Sequence, residues 1–285
     1  MTPLVSVIIS NYNNVDYIRE CLDSVFNQIG VTLECIVVDD CSTDKSVFDI
    51  FDEYKKYPNF KLVKKDHNEG CGMARKTGLT YAKGKYIIFL DSDDCYTHNR
   101  YLYNLTNKGE STGSYIVRSG YTDGKTNRFE YKESTITNKQ EMINIMVNAW
   151  GKAITSLCNT LFNRCIWDNI TYSERPCVED TPTYVAALMQ TNSISYIEDY
   201  GYYYRPNEHS ITHNLYPAKF QLFNALCIID CARTCKEKGV KMCCDEYDAR
   251  SDFYLNCMLY GWNRESFSPY EKYYDELMDR FKEME

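Results

Sequence analysis

Over the first hundred residues, two patterns of apolar and polar positions alternate. Short, mostly apolar runs cover residues 4–10, 33–38, 60–63 and 86–90, the last of them continuous, and most of them stop at a polar turn. Between them, apolar residues recur at helical spacing: Ile18, Cys21, Leu22, Val25, Phe26 and Ile29, then Val47, Ile50, Phe51 and Tyr54. A third helix, over about residues 71–82, presents the small residues Ala74 and Gly78 beside Tyr81. Apolar runs of strand length bounded by turn residues read as strands buried on both faces, and a three-to-four period reads as helix. Asp16 is the expected N-cap of the first helix and Gly30 the residue past its end; Pro58 closes the second and Gly84 the third. The order β-α-β-α-β-α-β predicts a mostly parallel α/β sheet with helices on both faces.

The middle of the chain is less regular. Residues 115–117 and 127–131 read as strands around an Asp123-Gly124 turn, and Met142, Ile143, Ile145, Met146 and Trp150 as a helix. Residues 154–166 are apolar with weak periodicity. A loop over 172–182 leads into a helix reaching Leu188, with Pro182 in its first turn, where the missing N–H costs nothing. Residues 194–197 and 201–205 read as two more strands. From Leu215 the period becomes helical throughout, marked by Phe220, Phe223, Leu226, Cys227 and Ile229, by Phe253, Cys257 and Tyr260, and by Tyr273, Leu277 and Phe281. The expected division is an α/β domain over 1–214, with halves 1–105 and 106–214, and a helical C-terminal extension over 215–285.

Composition narrows this only a little. A chain of 285 residues, 44% hydrophobic and 25% charged, has room for one large domain with an appendage. A net charge of -8 with no basic block argues against nucleic acid as a partner. The 14 cysteines include no CxxC pair, and Cys21, Cys35, Cys158 and Cys227 fall on apolar phases, as buried free thiols do. With no leader-like segment before the first strand and no membrane-length apolar run, a cytoplasmic protein with reduced thiols is expected. Most of the 26 tyrosines are expected to be half-buried packing residues with a polar tip.

The candidate chemistry begins where residues 86–90 run into Asp91, Ser92, Asp93 and Asp94. Carboxylates this close repel one another and resist desolvation, so a hard divalent cation is expected at Asp91 and Asp93. Asp94 serves equally well as a turn residue. Asn11-Tyr12-Asn13 and Asp39-Asp40 also follow strands, and parallel strand ends share the edge where open sheets bind ligands.

Together these segments resemble the family 2 glycosyltransferases with a GT-A (Rossmann-like) fold. The resemblance rests on residues 5–13 (VSVIISNYN), 37–44 (VVDDCSTD), Asn68-Glu69-Gly70, Ala74-Arg75 and 84–94 (GKYIIFLDSDD). It is nearly continuous over about 105 residues and later survives as islands at Glu179-Asp180 and from Tyr202 to Arg205 and His209. It implies inverting transfer of a sugar from a nucleotide diphosphate sugar, expected to be UDP-linked, to an acceptor hydroxyl of a growing surface or capsular glycan. It further implies that Asp93 holds Mg²⁺ or Mn²⁺, with Asp91 and His209 as further metal candidates. Ser10, Tyr12, Asn13, Asp39 and Asp40 would surround the nucleotide, and Arg75, Asp91, Ser92, Arg205 and His209 the ribose or diphosphate. Asp180, with Glu179 second, would be the catalytic base; an N-cap is its structural alternative.

Lys76, His98 (which leaves Thr97 to cap the following helix) and residues 158–161 depart from the family pattern. They leave the metal residues intact and the donor specificity open. A lipid-linked acceptor would bring the protein to the inner membrane face, and the C-terminal helices could dock there, form a homodimer or brace the domain. A sugar-phosphate nucleotidyltransferase would need a Gly-rich basic loop near the N-terminus that this chain lacks. A non-catalytic nucleotide-sugar or glycan-binding partner of another enzyme is the remaining alternative.

Overall fold

The computed structural model describes residues 2–128, 133–148, 156–170, 172–173, 175, 178–206, 217–242 and 244–284. The first third follows the expected alternation: β1 (Val5–Asn11), α1 (Ile18–Phe26), β2 (Leu33–Asp39), α2 (Ser46–Tyr54), β3 (Phe60–Lys64), α3 (Cys71–Leu79) and β4 (Tyr86–Asp91). These four strands pair in parallel in the order β3-β2-β1-β4. Every residue of β1 is buried, as is β4 through Leu90, so neither strand shows polar alternation. Each fully buried Val or Ile contributes roughly 1.5–3 kcal/mol. Gly78 lets α3 lie against β1, because a Cβ there would collide with Ile8.

The chain continues through β5 (Cys95–Tyr96), α4 (Tyr101–Thr112), β6 (Ile116–Ser119), β7 (Tyr121–Thr122), β8 (Asn127–Arg128), β9 (Ser134–Ile136) and α5 (Lys139–Asn148). There follow β10 (Thr160–Asn163), a 3-10 turn (Arg164–Asn169), α6 (Asp180–Gln190), β11 (Ile194–Ile197) and β12 (Tyr202–Tyr203). The main sheet extends past β4 as β10-β6-β11-β9, with β10 and β9 antiparallel to their neighbours. A second sheet, β5-β12-β7-β8, brings the segment after the acidic turn against residues 202–203.

Several boundaries differ from expectation. Tyr17, not Asp16, precedes α1, and no side chain caps that helix. Ile29 lies beyond α1 and is 48% exposed. Helix α3 stops at Leu79 rather than at residue 82. Thr97 is no cap either: its hydroxyl donates to the Tyr200 carbonyl, and α4 begins after Arg100. The weakly periodic stretch over 154–166 contains β10, too short for a period to show. The expected strand over 127–131 is described only as far as Arg128.

The C-terminal helices are α7 (Pro217–Glu237), α8 (Glu246–Tyr260) and α9 (Glu271–Lys282). Leu222, Phe223, Leu226, Ile229, Phe253, Phe267, Leu277 and Phe281 form their own core. Cys227, Cys231 and Cys235, spaced four apart on α7, face the main core instead. The helices are therefore packed onto the α/β domain through one face of α7. Among the described residues, no helix is long and apolar enough to cross a membrane, and no cysteine is in a disulfide.

Candidate functional site

Sheet register brings the first three polar clusters together. Asn11 lies opposite Asp39 and Ser10 opposite Asp91, so the ends of β1, β2 and β4 meet at one edge. Asn11 donates to Asp39 Oδ1 (2.9 Å), and the Ser42 hydroxyl (2.5 Å) and amide (3.0 Å) donate to the same carboxylate. Asn11 Oδ1 is buried with no partner, an acceptor that the residue types alone did not single out. Asp40 is consumed structurally: it accepts from Lys65 (2.7 Å) and from the amide of Gly70 (2.6 Å) at the start of α3. Asn13, at φ 53°, accepts from the amides of Thr43 (2.8 Å) and Asp44 (3.0 Å), tying the two turns together. Tyr12 is 46% exposed at this edge, and Ser10 is buried.

The acidic turn is held from several directions. Asn14 donates to the Ser92 hydroxyl (3.0 Å). Asp94 is buried and accepts from the Tyr202 hydroxyl and the Arg205 amide. Burial, with Asp91 and Asp93 adding like charge, pushes its carboxyl well above the usual range. Asp94 is thus the structural member of the trio. Arg205 donates through Nε to the Asp93 carbonyl (2.7 Å) and through Nη2 to Glu20 (2.5 Å), between the rings of Tyr17 and Tyr203. The structure therefore places Arg205 as a clamp on the turn.

The fourth cluster comes from far along the chain. Arg75, on α3 and 4% exposed at its side chain, spans two groups of carboxylates. Its Nη2 donates to Asp91 (2.6 Å), and its Nη1 donates to Asp180 (2.6 Å) and Glu179 (3.1 Å). Burial disfavours the guanidinium charge, but Asp180 and Asp91 outweigh it and keep Arg75 cationic. Glu179 also accepts from the Cys71 thiol (3.0 Å), a neighbour that no motif in the chain pointed to. The residue at the N-cap of α6 is Glu179, with no side-chain capping bond, so Asp180 is not capping. Burial pushes the Asp180 carboxyl up to about 7 against the pull of Arg75, with Glu179 and Asp91 also raising it. Arg75 Nε and the Tyr172 hydroxyl are buried without partners. His209 lies outside the described residues.

Among the described residues, no three His, Cys, Asp or Glu side chains converge as a metal cage. The acidic turn offers instead the half-buried Asp93, beside an Asp91 already shared with Arg75. One or two carboxylates suit Mg²⁺ or Mn²⁺ that takes its remaining ligands from substrate phosphates and water. The residues fit a cation of that kind.

A family model described as "Glycosyl transferase family 2" matches residues 6–170. The uncharacterized glycosyltransferase EpsJ of Bacillus subtilis is 30% identical over 74% of this chain and 64% of its own length. The poly(ribitol-phosphate) beta-glucosyltransferase of Bacillus spizizenii is 31% identical over 76% of this chain and 35% of its own length. The chain thus spans between about a third and two thirds of these two relatives. In fold, it is similar to S. aureus TarS 1–349, solved in complex with UDP-GlcNAc, at TM-score 0.63 and 24% identity, covering 79% of this chain and 66% of that one.

Proposed function

The chain belongs to glycosyl transferase family 2, and from that premise we propose that it transfers a sugar, with inversion, from a nucleotide diphosphate sugar to an acceptor hydroxyl of a bacterial surface glycan. The observation that carries this reading is the span of Arg75, which joins the acidic turn at Asp91 to the carboxylates at the head of α6. In-line displacement needs charge stabilisation on the leaving-group side and a proton acceptor on the other. Asp93, with Asp91 beside it, would hold the cation that meets the first need, and Asp180 meets the second, with Glu179 beside it.

UDP is the favoured nucleotide. Asp39 and the unpaired Asn11 Oδ1 offer acceptors to a uracil N3–H, and a family-like fold has been solved with UDP-GlcNAc. A divalent cation bound at Asp93 would supply charge neutralisation for the departing diphosphate. Arg75 fixes the orientation of Asp180 and balances its charge, and a carboxyl near 7 is ionised enough to accept the acceptor proton around neutral pH. Arg205 and Asp94 keep the acidic turn in shape.

The test is a panel of nucleotide sugars with Mg²⁺ or Mn²⁺, following nucleoside diphosphate release with and without glycan and lipid-linked acceptors. Release stimulated by an acceptor is expected, and Asp180→Asn should bind UDP normally and lose turnover. Pyrophosphate release from a sugar phosphate and a nucleoside triphosphate would favour nucleotidyl transfer. UDP-sugar binding without turnover on any acceptor would make this a binding protein.

A further inference from the structure

The turn that delivers Glu179 and Asp180 is set from outside the α/β domain. Val178 sits at φ 58°, a left-handed conformation that β-branched residues avoid, and nothing in its own sequence favours it. Its side chain is wedged between the main core and the core of the C-terminal helices, packing against both. Three residues earlier, Arg175 is held by the same helices. Its Nε and Nη2 donate to Asp230 of α7 (3.0 and 2.6 Å), and Nη2 also reaches Glu276 of α9 (3.3 Å). Arg280 of α9 closes the network on Asp230 (2.5 Å) and Glu276 (2.8 Å). The Arg175 side chain is only 9% exposed, so the fork is fixed and largely dry. Helix α6, which starts at Asp180, packs directly along α7.

We propose that the C-terminal helices position the catalytic base: Arg175, through Asp230 and Glu276, and Val178, wedged between the two cores, anchor the start of α6 and so aim Asp180 at Arg75. Neither residue touches the reacting atoms. A strained conformation persists only where its surroundings over-determine it, and here the surroundings are the main core and the core of the C-terminal helices. The acidic turn and the nucleotide edge are supported separately, by β1, β2, β4 and Arg205. Loosening the C-terminal contacts should therefore disturb the base and spare the donor site. This inference rests on the reading of Asp180 as the base.

The experiment compares the full-length wild type with Arg175→Gln, Arg175→Lys, Val178→Gly and Asp180→Asn. The readouts are UDP affinity by calorimetry and kcat and KM for nucleoside diphosphate release with the donor that the panel selects. Arg175→Gln leaves Asp230 paired with Arg280, and Val178→Gly permits the same φ while removing the wedge. The expected result is a tenfold or larger loss of kcat in both, with UDP affinity within twofold of wild type and partial recovery in Arg175→Lys. Unchanged kcat in both variants, or kcat and UDP affinity falling together, would overturn the proposal. If Asp180→Asn itself keeps full turnover, the base assignment fails and the positioning role falls with it. If Asp180→Asn is inactive while Arg175→Gln and Val178→Gly turn over normally, only the positioning role is lost.

Discussion

The two carboxylate groups that Arg75 joins are built in opposite ways. The acidic turn at Asp91–Asp94 is the direct continuation of a buried strand, and its shape comes from the sheet that the strand belongs to. Glu179 and Asp180 are held at a helix start preceded by a left-handed Val178 and by Arg175, which contacts helices some 50 to 100 residues away in sequence. In one region position follows from local pattern; in the other it follows from tertiary contacts. Arg75 has to satisfy both, over separations of 16 residues to Asp91 and 105 to Asp180. The pair downstream is therefore the more easily displaced, and the turn upstream the more robust.

The largest test of this contrast is Asp93→Ala. Losing the carboxylate that fits the cation should weaken metal-dependent UDP binding by about 100-fold, given that metal stabilisation is worth several kcal/mol. Calorimetry with and without Mg²⁺ checks it, and equal affinities in both proteins would remove Asp93 from the donor site. A pH series probes the other group. The base acts as a carboxylate, and Asp180 is held up to about 7, so it is protonated below that value and ionised above it. Turnover should accordingly drop by about tenfold per pH unit on the acid side of that point and level off above it. A flat profile between pH 5 and 8 would break the assignment.

Smaller effects separate the two regions further. A Cβ at Gly72 would come within 2.8 Å of Glu179 Cγ. Gly72→Ala should therefore lower turnover several-fold while leaving UDP affinity unchanged. Gly78→Ala acts on packing alone: its Cβ would press α3 off Ile8, and overpacking of this kind costs about 1–3 kcal/mol. Thermal melting should show that loss, with turnover per folded molecule nearly constant at moderate temperature.

The same contrast explains what the sequence made legible. β1, β2 and β4 could be read because buried strands leave mostly apolar runs, β3 because a short apolar segment stood where the alternation required a strand, and their ends could be placed together because parallel strands share an edge. The placement of the Asp91–Asp94 turn at that edge was legible for that reason, and Asp94 resolved into a turn residue once Tyr202 and Arg205 were seen to hold it. Asp180 was reachable only through family resemblance, since Glu179-Asp180 before a helix looks like ordinary capping. The structure replaces that local role with the pairing to Arg75. Arg205 was expected beside the diphosphate, whereas its bonds to the Asp93 carbonyl and Glu20 brace the turn, a role no local pattern encodes. Arg175 and Val178 carried no signal at all, because their partners lie on α7 and α9 and in two separate cores. The short β10 escaped for a different reason: four residues cannot display a period.

One guanidinium bridges the acidic turn and the carboxylates at the head of α6, and Arg75→Lys removes that bridge while keeping the charge. Lysine keeps the positive charge but loses the planar fork that reaches Asp91 with one nitrogen and Asp180 with the other. The measurement is kcat for nucleoside diphosphate release alongside UDP affinity on the same preparation. The expected result is a fall in kcat of about 30-fold or more while UDP affinity changes by less than about threefold, the loss falling on the base that the fork orients. Full turnover in Arg75→Lys, or a loss confined to UDP affinity with kcat intact, would contradict it.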